Sequence, residues 1–184
     1  MVGTVIPTNL KHPKNHTKTP PYRHQPQQTK AKLFMKTIKG DLIKLTKNGD
    51  FNVIIHGCNC FCTMGAGIAK QIKKNFPEAY EADLKTKKGD RNKLGTWSNS
   101  KIGDLLIFNA YTQFNYGRNQ RHTDYNAIQS AFKSIAVEVK KICNEPRIGY
   151  PAIGAGYGGG DWKIISKIID KEFDGLDHTF VHLI

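Results

Sequence analysis

Residues 56–69 read HGCNCFCTMGAGIA, and several chemistries compete for them. Cys58, Cys60 and Cys62 lie two apart, with Cys143 distant. Structural zinc takes C-x₂₋₄-C pairs with two further ligands close by, and thiol–disulfide centres use C-x-x-C. Neither spacing is present, so these cysteines read as small buried or half-buried thiols. The alternative is a cysteine nucleophile, for which His56 is the one base close in sequence. His56 has its own candidate role, because an imidazole titrates where proton transfer at neutral pH needs it. A satisfied histidine at the end of a strand is the competing account. No carboxylate cluster asks for a metal, and neither a metal nor a cofactor is expected.

The glycines carry more. Thr63-Met64-Gly65-Ala66-Gly67 follows an apolar run and opens a helical pattern, and Ile153–Gly160, read as IGAGYGGG, has the same context. Glycine lets backbone approach a ligand closely, and the start of the following helix offers free N–H groups and the positive end of its dipole. Neither loop ends in the Gly-Lys-Ser/Thr of a P-loop. Two such loops in one small α/β chain suggest a clamp on a diphosphate. The alternative is that the glycines serve tight turns alone.

The elements that must position these loops alternate. Strand signals cover Lys36–Gly40, Asn52–His56 with its Val53-Ile54-Ile55 core, Gly95–Ser100, Asp104–Tyr111, Arg147–Ala152 and His178–Leu183. The short connection Lys101-Ile102-Gly103 predicts that the third and fourth strands form an antiparallel pair. Helical spacing runs through Ile68, Ala69, Ile72 and Phe76, resumes from Pro77 to Lys85, and continues through Tyr125–Ile142 and Trp162–Phe173. The expected fold class is α/β: a three-layer α/β/α sandwich around a central mixed sheet.

The 184 residues suffice for one domain with a full core. The net charge of +13 is unevenly placed. Residues 1–39 hold eight Lys or Arg and no acid; twenty bases and fifteen acids remain for residues 40–184, a net of +5. Residues 1–34 are rich in Pro, Lys, His, Thr and Gln and too poor in apolar groups to offset chain entropy, so a disordered or non-native leader is expected there, with Met35 a candidate start. This leader is a solvated tail or a weak, salt-sensitive nucleic-acid binder. Val5 and Ile6 are followed at once by Pro7, and no apolar run approaches the ~20 residues of a membrane helix. The expectation is a cytoplasmic monomer that does not engage a membrane.

Together, GDLIKL at 40–45, IIHGCNCFCTMGAGIAKQI at 54–72, LLIFNAYTQ at 105–113 and IGYPAIGAGYGGGDW at 148–162 resemble a macrodomain over nearly all of residues 35–184. The likeness is strongest to macrodomains that act as ADP-ribose 1''-phosphate phosphatases, which are relatives of hydrolases acting on ADP-ribosylated protein and DNA. The resemblance implies ADP-ribose or ADP-ribose 1''-phosphate as the ligand. It implies that Asp41 accepts a hydrogen bond from the adenine amino group and that Leu42 supports the ring. Asn59 would hold distal ribose hydroxyls. Gly65, Ala66, Gly67 and Ile68 would line one side of the diphosphate, and Ile153, Gly154, Ala155, Gly156 and Tyr157 would close over the other. Asn109 and Tyr111 are candidates to reach the pocket.

Each role has a plainer rival. Asp41 and Asp161 suit helix caps, Asn59 suits a turn, and Tyr157 suits an exposed loop aromatic. For catalysis the resemblance puts forward His56, Asn59 and Asp161, with His56 or Asp161 directing water or protonating the leaving oxygen. Two departures bear on the reaction. Gly158 stands where one hydrolase branch has an acid, and Gln113 stands near the position of the DNA-directed branch's catalytic lysine; Lys85, Lys87 and Lys88 lie in a stretch that does not align clearly with the lysine of the protein-directed branch. The expected activity is therefore a phosphoric monoester hydrolase releasing phosphate from ADP-ribose 1''-phosphate. The alternatives are removal of ADP-ribose from protein or nucleic acid, and ADP-ribose binding without catalysis.

Overall fold

The computed structural model describes residues 33–183. The reading of residues 1–34 as a leader, and any nucleic-acid binding by it, lies outside the described residues apart from Leu33 and Phe34. In chain order the elements are β1 (Lys36–Lys39), α1 (Leu42–Lys47), β2 (Val53–Asn59), α2 (Gly67–Asn75), α3 (Pro77–Leu84), a 3₁₀ turn (Arg91–Lys93), β3 (Trp97–Ile102), β4 (Leu105–Gln113), α4 (Tyr125–Ile142), β5 (Arg147–Tyr150), α5 (Trp162–Glu172) and β6 (Asp177–His182).

Local chemistry accounts for the helix starts. Asp41 caps α1 through Oδ1, accepting from the Ile43 and Lys44 amides at 2.8 and 3.2 Å. Asp124 caps α4 and Asp161 caps α5 by the same device. Pro77 opens α3 at a position where its missing N–H costs nothing.

The six strands form one sheet in the order β1-β6-β5-β2-β4-β3. All neighbours are parallel except β3 and β4. That pair is the expected hairpin, with its register shifted: Ile102 pairs Leu105, and the turn is Gly103-Asp104, where Gly103 takes φ 58°. Ile54 and Ile107 face α1, α2 and α3, where they pack with Leu42, Ile43, Ile72 and Phe76. Val53, Ile55, Leu106 and Phe108 face α4 and α5, against Ile128, Phe132, Ile135, Ile165 and Ile169. A sheet buried on both faces explains the continuous Val-Ile-Ile run.

Two features differ from the sequence reading. Helix α1 was not among the expected elements, because six residues hold too little periodicity to stand out, although the capping role weighed for Asp41 is the one it has. Strand β2 does not end at His56 but runs to Asn59, paired with β4 throughout and shifting register between Cys58 and Asn59. Because β2 lies between β5 and β4, the loops that leave β2 and β5 emerge side by side at the carboxyl end of the sheet, where open α/β sheets bind ligands.

Candidate functional site

Between those two loops lies a cleft of about 480 Å³. Its walls include Asn59, Gly65, Ala66, Gly67 and Ile68 on one side and Ile153, Gly154, Gly156 and Tyr157 on the other. Glycine is required at several points. Gly67 and Gly154 take φ of 54° and 70°. A Cβ on Gly57 in the floor would stand 2.9 Å from Thr112 Oγ1, and one on Gly154 would stand 2.8 Å from Thr123 Cγ2. A Cβ on Gly67 would stand 3.3 Å from the Tyr157 ring, so the two loops approach closely across the cleft. Helix α2 starts at the wall with no capping side chain on Ala66. Its first amides are thus open to a ligand, with the positive end of the helix dipole behind them.

The remaining candidates divide. Asn59 lines the cleft with half of its hydrogen-bonding capacity in use: Nδ2 donates to Thr63 Oγ1 at 2.7 Å and Oδ1 accepts from the Phe61 amide at 2.8 Å. Asp41 and Leu42 are outside the lining; Asp41 caps α1 and Leu42 is buried under it. Ala155 packs against the core beneath the second loop instead of facing the cleft. Asp161 is exposed at the start of α5, where Oδ1 accepts from the Lys163 amide at 2.8 Å.

His56 is outside the cleft lining. It is fully buried in β2 on the α3 side of the sheet, with Nε2 2.7 Å from Asn109 Oδ1. An amide oxygen accepts, so Nε2 carries the proton. Burial holds its pKa down at about 4, outweighing the Asn109 hydrogen bond that would raise it. Asn109 and Tyr111, expected to reach the pocket, belong to the same interior network. Asn109 Nδ2 donates to Ala79 O at 2.8 Å and to Ser98 Oγ at 3.0 Å; Ser98 meets Tyr111 Oη at 2.8 Å, and Tyr111 donates to Asp83 Oδ1 at 2.9 Å. Lys93 closes the network, 3.3 Å from Asp83 Oδ1 and 3.1 Å from Cys62 Sγ. Burial pushes the Cys58 thiol well up and the Cys60 thiol to about 11, so both are protonated at neutral pH. Among the described residues no group of three or more His, Cys, Asp or Glu is arranged to hold a metal.

Sequence reasoning missed the third wall. Gln113 at the end of β4, with Tyr116, Gly117 and Arg118 from the segment after it, line the cleft, and the Arg118 guanidinium lies 4.3 Å over the Tyr157 ring. A Cβ on Gly158 would stand 3.0 Å from Gln113 Oε1, so the two positions that depart from the hydrolase branches are neighbours in the cleft. Asp83 also reaches the lining from beneath, although it is only 1% exposed. The segment FNYGRNQRHT has no periodicity and no motif; its cluster of Asn, Gly and Arg was the only available signal.

A Macro domain family model matches residues 55–169. A 17.5 kDa protein from the tk-vs intergenic region of enterobacteria phage T4 is 41% identical over 154 residues, covering 81% of this chain and 96% of that protein. The ADP-ribose 1''-phosphate phosphatase of Candida albicans is 30% identical, covering 80% of this chain and 97% of the enzyme. The DNA ADP-ribosyl glycohydrolase of Mycobacterium tuberculosis is 26% identical over 74% of this chain, which spans only 38% of that protein's length. In structure, the macrodomain of Mycobacterium tuberculosis DarG superposes with a TM-score of 0.65 at 20% identity, covering 80% of this chain and 96% of that one.

Proposed function

The chain belongs to the Macro domain family, and from that premise we propose that it binds ADP-ribose and hydrolyses ADP-ribose 1''-phosphate to ADP-ribose and phosphate. The observation that carries the ligand is the pair of glycine loops on adjacent parallel strands, with the uncapped start of α2 between them. The diphosphate lies against Gly65–Ile68 and Ile153–Gly156. Asn59 holds distal ribose hydroxyls with the donor and acceptor sites its local bonds leave over. Tyr157 covers the distal ribose. Adenine lies beyond the enclosed cleft, where Asp41 offers its second carboxylate oxygen over Leu42.

Two considerations support the phosphatase over removal of ADP-ribose from protein or nucleic acid. The phosphatase relative is matched over nearly its whole length. In addition, Gln113 stands near the position of the DNA-directed branch's lysine, and its neighbour Gly158 stands where another hydrolase branch has an acid. In the proposed reaction, water oxygen bonds to phosphorus as the bond from phosphorus to the 1'' oxygen breaks. Phosphoryl transfer rests chiefly on positioning and on stabilising spread negative charge, which the amides of both loops supply. His56 and Asp161 receive no proton-transfer role, because one is buried behind the sheet and the other caps α5 outside the lining.

One observation favours a second reading, a non-catalytic ADP-ribose reader. Among the described lining residues the one carboxylate, Asp83, is buried and tied to Lys93 and Tyr111, so none is free to act as a base. The test is calorimetric titration of the full chain with ADP-ribose, then phosphate release from ADP-ribose 1''-phosphate by the same sample. Binding with release supports the phosphatase. Binding without release selects the reader, unless ADP-ribose is freed from a modified protein or oligonucleotide. No binding removes the clamp itself.

A further inference from the structure

A second, more open hollow of about 610 Å³ adjoins the mouth of the cleft and is lined by Arg118, Gln120, Gly156, Tyr157 and Gly159. Arg118, Gly156 and Tyr157 line both spaces and form the wall between them. Arg118 is the one cation among the described residues of either lining. Its guanidinium lies 4.3 Å over the Tyr157 ring, a cation–π contact that uses the face of the ring and none of the guanidinium's N–H donors. Among the described residues it forms no ion pair. The acids flanking this region are otherwise engaged: Asp124 accepts from the Ala127 amide, and Asp161 from the Lys163 amide. An exposed arginine over a tyrosine ring, with no ion pair among the described residues and between two hollows, has the form of an anion-binding group.

We propose that Arg118 is the core of an anion subsite that receives a phosphate ester attached at the distal ribose. This rests on the ADP-ribose reading above. That reading puts the distal ribose under Tyr157, the residue Arg118 stacks on, and puts adenine at the Asp41 end. A group carried on C1'' therefore emerges toward Arg118. Planar guanidinium edges match phosphate oxygens two at a time, which a lysine cannot reproduce. The same chemistry has two sources: the terminal phosphomonoester of ADP-ribose 1''-phosphate, or a backbone phosphodiester beside an ADP-ribosylated base. The second hollow extends the path such a strand would take.

The test compares the full-length wild type with Arg118→Gln and Arg118→Lys. The exposure of Arg118 makes misfolding of these variants an unhelpful explanation for any change. Three probes are used: ADP-ribose, ADP-ribose 1''-phosphate, and a short single-stranded oligonucleotide carrying ADP-ribose on one base. Affinity is read as Kd, or as KM with kcat where the probe turns over. The expected result is that Arg118→Gln weakens a phosphate-bearing probe roughly tenfold or more beyond its effect on ADP-ribose, with Arg118→Lys intermediate. If the excess appears for ADP-ribose 1''-phosphate, the monoester is the source; if for the oligonucleotide alone, the strand is. If all three probes weaken by one common factor, Arg118 acts only by supporting Tyr157 and the subsite is overturned. If wild type does not bind ADP-ribose, the ADP-ribose reading fails first and takes the subsite with it.

Discussion

Replacing Lys93 by methionine tests whether the charged network under the cleft is a structural necessity. Lys93 is 7% exposed and Asp83 1%, with Nζ 3.3 Å from Oδ1. The same ammonium donates to Cys62 Sγ at 3.1 Å and lies 4.3 Å over the Tyr111 ring. Methionine keeps the apolar stem against Tyr111 but leaves the Asp83 carboxylate buried with only the Tyr111 hydroxyl to answer it. Removing one partner of a buried pair costs roughly 3–5 kcal/mol, because the other charge is stranded. At about 2–4 °C per kcal/mol for a chain of this size, the melting point falls by roughly 6–20 °C. Urea unfolding with the m-value checked gives the measurement. A second substitution, Asp83→Asn, removes the stranded charge and still accepts from Tyr111, so Lys93→Met/Asp83→Asn regains more than half of the loss. A single-variant cost under about 1 kcal/mol with m unchanged would refute the reasoning, as would a double variant no better than the single.

Three further outcomes are expected. His56, whose folded pKa is held down at about 4 against 6.5 unfolded, contributes stability that is complete above pH 6.5 and is lost as pH falls from there to about 4. The loss is about 3.5 kcal/mol at about 1.4 kcal/mol per pKa unit, and urea midpoints across that window become flatter in His56→Gln. Gly158→Ala places a Cβ 2.7 Å from Gly154 O and 3.0 Å from Gln113 Oε1, so the second loop shifts and ADP-ribose affinity drops by roughly tenfold or more in calorimetry. Asp161→Ala removes the α5 cap and costs about 1 kcal/mol of stability, while phosphate release per folded molecule stays within about twofold if Asp161 is a cap and not a base.

The fold was legible because its signals are local and mutually consistent. The β-branched run at 53–55, the helical spacing of 125–142 and the hairpin at Gly103 are each dictated by short-range chemistry. The clamp was legible because two glycine loops in the same strand-to-helix context imply one another. What the sequence hid was direction. His56 is two residues before Cys58 on the same face of β2, yet only Cys58 reaches the cleft lining, while His56 lies buried with Nε2 2.7 Å from Asn109 of β4. Nothing in IHGCNC records that partner, which comes from β4, 53 residues away. Asp83 and Lys93 carry no sequence motif, and their burial follows from the packing of α3 and the 3₁₀ turn beneath the cleft. Arg118 stood in a segment without pattern, and its relevance arises from one contact with a tyrosine in another loop.

The close approach of Tyr157 to the Gly67 backbone has a kinetic consequence. It narrows the cleft at the end where the distal ribose of the proposed ligand lies. In the proposed complex that ribose leaves by sliding lengthwise along the cleft, or by Tyr157 swinging aside and giving up its contact with Arg118. The lifetime of the complex is therefore set by the tyrosine's motion as well as by the strength of the phosphate contacts. Tyr157→Ala should raise the dissociation rate by a larger factor than it changes the association rate.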